Sequence, residues 1–298
     1  RPVFCAPNLA LGGYLGSAYA PVFVGSANNH PAMEKFTPPK IYDLADEKRL
    51  DQRRKLLGSI ESNALAKDAL GQDWGNLREK AYDAMTRPEG REAFEMNREP
   101  TKVRERYGMH PLGQNLLLAR RMVEAGVRFV TVNGWAGQSN VGKKGPPSSS
   151  WDMHGGNMGM GDAFGNGSYG MGFCLPRLDQ ALAGLFTDLK ERGMMDNTLV
   201  VVTGEFGRTP KVLTQKPPGR QHWPKCFSSI LAGCGIGGGH VYGKTDKYGA
   251  SVTSNPVRPE ELAATIYHAL DIPLTDLLIE SGGARPITTG KPVMELFG

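Results

Sequence analysis

Between Thr198 and Pro210 the chain reads Thr-Leu-Val-Val-Val-Thr-Gly-Glu-Phe-Gly-Arg-Thr-Pro. Four consecutive aliphatics, Leu199 to Val202, with no polar alternation predict a strand covered on both faces, as in a parallel sheet. The run breaks into Gly204-Glu205-Phe206-Gly207-Arg208, which sets a carboxylate and a guanidinium between glycines at the strand's end. Ligands of open α/β sheets bind beyond the carboxyl ends of the strands. Glu205 and Arg208 therefore mark the expected active edge, and the other segments are placed against it.

The segments after residue 110 alternate between helical and strand patterns. Pro111 to Ala125 carries Leu112, Leu116, Ala119 and Val123 at helical spacing, and Gly126 stands where a C-capping glycine belongs. Val127-Arg-Phe-Val-Thr-Val132 predicts a strand. Pro176 to Met194 predicts a helix striped by Leu178, Leu182, Leu185 and Leu189, and Gly193 ends it. Cys226 to Ala232 predicts another strand, and Pro259 to Leu270 a capped helix. Glycines at the joints of such a pattern argue for an α/β sandwich over 111–298. Before it, 46–110 is charged and helical, with a second helix expected over Trp74 to Met85 and a stop and restart at Thr86-Arg-Pro88, and reads as an inserted cap. Residues 1–45, broken by glycines and prolines, predict an extended arm.

Composition removes several function classes. The net charge of +5 over 298 residues comes from scattered pairs such as Arg53-Arg54, Arg120-Arg121 and Lys143-Lys144, so no basic tract addresses a nucleic acid. No stretch approaches the roughly 18 apolar residues that span a bilayer. The four cysteines, Cys5, Cys174, Cys226 and Cys234, lack CxxC spacing and are either free or paired over long distances.

Three glycine-flanked loops carry the groups able to do chemistry. Asp152 and His154 are two residues apart, so on an extended segment both face one space, where they can share a metal ion or a proton. Glu205 and Arg208 form the second set, and Arg220 with His222, in Gly219-Arg-Gln-His-Trp-Pro224, the third. Mixed imidazole and carboxylate donors with open positions suit hydrolytic Zn or Mn, which gives Asp152, His154, Glu205 and His222 as candidate ligands. Arg208 and Arg220 can fork onto phosphate or sulfate oxygens, and Asn157 joins them as a substrate-binding candidate. His30, His110, His240 and His268 rank below these. The glycine run at 233–239 lacks the Lys-Ser/Thr of a phosphate loop.

Trp151-Asp-Met-His-Gly155, Gly204-Glu-Phe-Gly-Arg-Thr-Pro210, Gly219-Arg-Gln-His-Trp-Pro224, Tyr242-Gly-Lys-Thr-Asp246 and Leu262-Ala-Ala-Thr-Ile-Tyr-His-Ala-Leu270 together resemble a bacterial family, the domain-of-unknown-function 1501 family, within the alkaline-phosphatase and sulfatase superfamily. The likeness runs over nearly the whole chain. It implies an alkaline-phosphatase-like three-layer α/β sandwich with a largely parallel sheet and a helical insertion. It also implies one metal held by Asp152, His154 and His222. At the strand end that typically gives an Asp-His pair to a second metal, this chain has Glu205-Phe206, and a phenyl ring binds no metal. Relatives of this kind usually open with a further segment bearing a first strand and an early Asp, so a separate N-terminal polypeptide is an expected partner, as is a homo-oligomer. Periplasmic or other export is implied as well. The function expected is metal-dependent hydrolysis of a phosphate or sulfate ester, with Glu205 as ligand or base and Arg208 neutralising developing charge. The alternative is an impaired relative serving as a structural or binding subunit of an exported assembly.

Overall fold

The structure, a computed structural model, describes residues 21–26, 28–39, 47–61, 88–137, 151–155, 170–216, 218–280 and 283–298. It divides into two compact units. The first holds 1–137 with 177–184, and the second holds 138–176 with 185–298.

The described part of the first unit is helical. Helix α1 spans Glu47–Glu61, α2 Pro88–Glu92, α3 Thr101–Tyr107 and α4 Pro111–Glu124, with a 3-10 turn at Met96–Arg98. Proline sits at the first position of both α2 and α4, where its missing N–H costs nothing. The second helix expected at 74–85 lies outside the described residues. Helix α4 buries Leu112, Leu117 and Leu118, and with them Gln114 and Arg120. The expected stripe through Leu116, Ala119 and Val123 is only half-buried. What turns the helix is the close approach of α3: a Cβ at Gly113 would sit 2.1 Å from the Tyr107 carbonyl oxygen. Gln114 then donates from Nε2 to the carbonyls of Arg104 (2.9 Å) and Gly108 (3.0 Å) and accepts from Arg104 Nε (2.8 Å). Buried polar atoms at this contact are thereby satisfied.

Buried charge is handled in the same way. Glu99 accepts from Arg120 Nη2 at 2.7 Å and from Arg121 Nη1. Burial pushes the Glu99 carboxyl up, but the two guanidinium groups more than offset it and hold the group below its ordinary value. The arm expected at 1–45 is described at 21–26 and 28–39. Pro31 is buried there, its carbonyl accepts from Arg104 Nη2 at 3.1 Å, and the His30 ring stands edge-on to Trp135.

The second unit contains all the paired strands among the described residues. Strands β1 (Val200–Val202) and β4 (Ile230–Ala232) pair antiparallel, Val201 opposite Leu231. So do β2 (Gly207–Arg208) with β3 (His222–Trp223), β5 (Lys244–Thr245) with β6 (Val252–Ser254), and β7 (Leu277–Glu280) with β8 (Gly283–Pro286). Helix α5 (Met171–Glu191) gives its middle, Arg177–Gly184, to the first unit and its ends to the second. Helix α6 spans Pro259–Ala269. Its Arg258 N–H donates to Glu261 Oε2 at 2.8 Å, the reciprocal half of a capping box.

This corrects the expected fold class. An alkaline-phosphatase-like sandwich requires a large, mostly parallel sheet; the described residues form four separate two-stranded antiparallel sheets. The aliphatic run at 199–202 does form a strand, but three half-buried residues of it pair, with a single neighbour. A run of valines encodes a strand without encoding its direction or its number of neighbours. Val127–Val132, another expected strand, alternates in exposure only from Phe129 on and enters no ladder among the described residues, while of the strand expected over Cys226 to Ala232 only Ile230–Ala232 pairs. The hairpin β7–β8 and the pair β5–β6 are not foreshadowed by any pattern in the sequence.

His110 caps α4: the Gly113 N–H donates to its Nδ1 at 3.2 Å, so the cap requires the neutral ring. Burial, reinforced by the positive Arg177, pushes the His110 pKa from 6.5 down to about 4. A depressed value means that the cap's contribution is fully present above the unfolded value of 6.5 and is lost as pH falls through about 4. His110→Asn keeps an N-cap acceptor without the titration. Its thermal stability should therefore fall less than the wild type's between pH 6.5 and 4, measured by melting in a pH series.

Candidate functional site

The β2–β3 pair builds the site. Its register sets Arg208 opposite His222 and Gly207 opposite Trp223. Cross-strand partners lie on one face of a sheet, so guanidinium and imidazole share a side. The pairing extends past the strands: Thr209 N–H donates to the Gln221 carbonyl at 2.9 Å, and Leu213 N–H to the Gly219 carbonyl at 2.8 Å. Gly207 is required here, since a Cβ would sit 1.9 Å from the Cys226 carbonyl oxygen.

Residues 151–155 are strapped onto the connection between β2 and β3. Arg220 N–H donates to the Met153 carbonyl at 2.7 Å, and Gln215 Nε2 to the His154 carbonyl at 2.8 Å. The two backbones touch at Gly219, where a Cβ would lie 1.7 Å from the His154 carbonyl oxygen. Only a residue without a side chain permits that approach.

Within the strapped segment, Asp152 Oδ1 accepts the His154 backbone N–H at 2.9 Å and lies 2.7 Å from His154 Nδ1. Both side chains are largely buried, 15% and 20% exposed, so water competes poorly for this contact. A carboxylate accepts only, which puts the imidazole proton on Nδ1 and leaves a lone pair on Nε2. Arg208 Nη1 stands 3.5 Å from that Nε2, while its Nη2 donates to Glu205 Oε1 at 3.0 Å. The His154 and His222 rings meet edge-on with centroids 4.8 Å apart, and the Phe206 ring centre lies 4.4 Å from that of His222. The Arg208 guanidinium carbon is 5.6 Å from the Phe206 ring centre. Glu205 is the exposed end of the chain of contacts, at 61%.

Six of the seven sequence candidates are thus placed, and Asp152, His154, Glu205, Arg208 and His222 fall into one continuous cluster. Arg220 is adjacent, its Nε donating to the Thr209 carbonyl at 2.7 Å. Asn157 lies outside the described residues. Of the two ways in which Asp152 and His154 could cooperate, the geometry has the hydrogen-bonded pair. The metal fits less well. Asp152 is engaged by His154, Glu205 by Arg208, and no three His, Cys, Asp or Glu among the described residues are arranged to hold an ion. Gln215 and Thr209 were missed: Gln215 lies outside the quoted motifs, Thr209 lies inside Gly204–Pro210 but was given no role, and only Gly219 signalled the close approach. Cys174, Cys226 and Cys234 form no disulfide with one another, and Cys5 lies outside the described residues.

A compact acid–base and guanidinium cluster on a strapped hairpin defines the class of site. The chain belongs to the family described as protein of unknown function (DUF1501), which it matches over residues 6–297. No curated protein and no solved structure matches it. Among the described residues no helix is long and apolar enough to cross a membrane.

The strap generates a contrast between two glycines. Gly219→Ala forces the 151–155 segment off the hairpin and should cost about 1–3 kcal/mol of stability, in the range of overpacked sites. Gly204→Ala adds a methyl that meets nothing within 4 Å and should be near neutral. Denaturant melts of the two variants check this, and the His154 imidazole resonances should move only in the first.

Proposed function

We propose that the protein is a hydrolase-like member of its family that acts on phosphate or sulfate esters at the Asp152–His154–Arg208 cluster. This reading extends the family membership to the ester chemistry of the alkaline-phosphatase and sulfatase superfamily, and it rests on side chains rather than on the fold. The observation that carries it is the imidazole of His154, oriented by Asp152 through Nδ1 and facing the Arg208 guanidinium through Nε2.

In this reading Arg208 binds the non-bridging oxygens of the anion and neutralises charge as it develops. Glu205 holds the guanidinium in place when no substrate is bound, and Arg220 supports the same side of the site. His154 Nε2 takes a proton from the attacking water and returns it to the oxygen of the leaving alcohol. Water and ester give alcohol and free phosphate or sulfate, with the imidazole restored. Phe206, half-buried against the His222 ring, gives the reacting centre an apolar wall. No step is routed through a metal.

Turnover of aryl phosphates and aryl sulfates by the purified chain tests this. His154→Ala should lower kcat on the order of 10²–10⁴-fold, the usual weight of a general acid–base group. Asp152→Asn should lower it by less, and Arg208→Lys should mainly raise KM, since an ammonium cannot fork onto two oxygens. Elemental mass spectrometry of the same proteins reads the metal. Near-stoichiometric Zn or Mn, lost alike in His154→Ala and His222→Ala, would make both imidazoles metal donors and overturn the acid–base role of His154. Anion binding without turnover would leave a binding subunit.

A further inference from the structure

Residues 206–225, the hairpin that carries the site, hold Arg208, Lys211, Lys216, Arg220 and Lys225 and no Asp or Glu. These five cations equal the chain's net charge of +5, so everything outside the hairpin balances to zero. They stand three to five residues apart and form no tract in the sequence. The pairing gathers them: Arg208 lies opposite His222, and Leu213 is held to Gly219. Arg220 is two residues from His222, and Lys211 and Lys216 are exposed on the connection beyond Arg208. Lys216 follows Gln215, whose Nε2 holds the His154 carbonyl at 2.8 Å. Leu213 marks the reach of this row, at most about 17 Å of chain from Arg208. Lys225 stands over the Trp223 ring at 5.2 Å, on the face away from His222, and is outside the row.

We propose that the β2–β3 hairpin is a binding track for a linear polyanionic glycan bearing several sulfate or phosphate esters, one ester at Arg208 and the next anionic groups on Lys211 and Lys216. The proposal rests on the ester reading of the site only for where the reacting group lies. A small monoester is met by Arg208 alone; the cations beyond it can act only on further charges of the same molecule. A glycan repeats such esters along one extended chain and so supplies both. Cations lining one edge of a site also raise the local concentration of an anionic polymer and speed its arrival. A nucleic acid carries a similar charge but binds as a single strand by stacking its bases on aromatic rings. The hairpin's two aromatics are half-buried and engaged. Phe206 packs on His222, and Trp223 lies under Lys225 and donates from Nε1 to the Ala250 carbonyl at 2.7 Å.

Fluorescence anisotropy of labelled heparin disaccharide and hexasaccharide, titrated with the full chain, tests the track. The hexasaccharide should bind more tightly than the disaccharide, and its advantage should shrink as salt is raised. Lys211→Gln combined with Lys216→Gln should weaken hexasaccharide binding about tenfold, the weight of two exposed ion pairs. Lys244→Gln combined with Lys247→Gln removes the same charge from exposed positions at and after β5 and should leave binding unchanged. Circular dichroism of both double variants confirms the fold. Equal binding of the two lengths, or equal loss in the two double variants, overturns the proposal. An oligothymidylate or a polyglutamate bound as tightly as the hexasaccharide, and lost in the same variant, overturns the choice of a glycan. Binding is read without turnover, so track-dependent binding by a chain inactive on aryl esters supports the track and fails the ester reading alone.

Discussion

The approach of two backbones at Gly219 is the constraint on which the candidate site depends. The His154 carbonyl is held by Gln215, and the Met153 carbonyl by the Arg220 N–H, only because nothing projects from residue 219. Once the two segments are joined, Asp152 and His154 are carried over the face of the β2–β3 pair where Arg208 and His222 already stand. Orientation of the imidazole is thus a backbone property first and a side-chain property second. The short strands β2 and β3 would be marginal alone; the strap adds hydrogen bonds from outside the ladder and fixes their register.

The first unit solves a different problem, that of burying charge. Arg120 is fully enclosed in α4, and its carboxylate Glu99 is brought from the turn before α3, while Glu124 lies one helical turn along at 2.5 Å. Such a cluster adds little net stability over apolar packing, but losing one partner strands the others. It fixes how the 96–99 turn sits on α4, and Arg121 reinforces this by donating to the Ala93 carbonyl at 2.7 Å.

Helices were the most legible elements. Pro88, Pro111 and Pro259 marked helix starts, and Gly126 and Gly193 marked ends; both glycines have the left-handed φ of a helix terminus, 92° and 66°. Helix α5 nonetheless begins at Met171, five residues ahead of Pro176, because a proline within the first turns leaves most backbone bonds intact. Sheet architecture was not legible. The valines at 200–202 announce a strand, while the choice of Leu231 as partner for Val201 depends on contacts remote in sequence. The site lay between these extremes. His154, Arg208 and His222 stood out by residue type and glycine context, whereas Gln215 and Thr209 act through geometry that no spacing encodes.

Two glycines on different helices meet one stretch of backbone. A Cβ on Gly184 of α5 would lie 2.9 Å from Tyr107 Cα, and one on Gly113 of α4 would lie 2.1 Å from the Tyr107 carbonyl oxygen. The end of α3 is therefore a key cut to a narrow slot. Sliding α5 by one residue would present Ala183 or Leu185 to Tyr107, and sliding α4 would present Leu112 or Gln114; neither leaves room. The paired notches act as a registration device that rejects misthreaded arrangements of the three helices, at the cost of tolerating almost no sequence drift at positions 113 and 184.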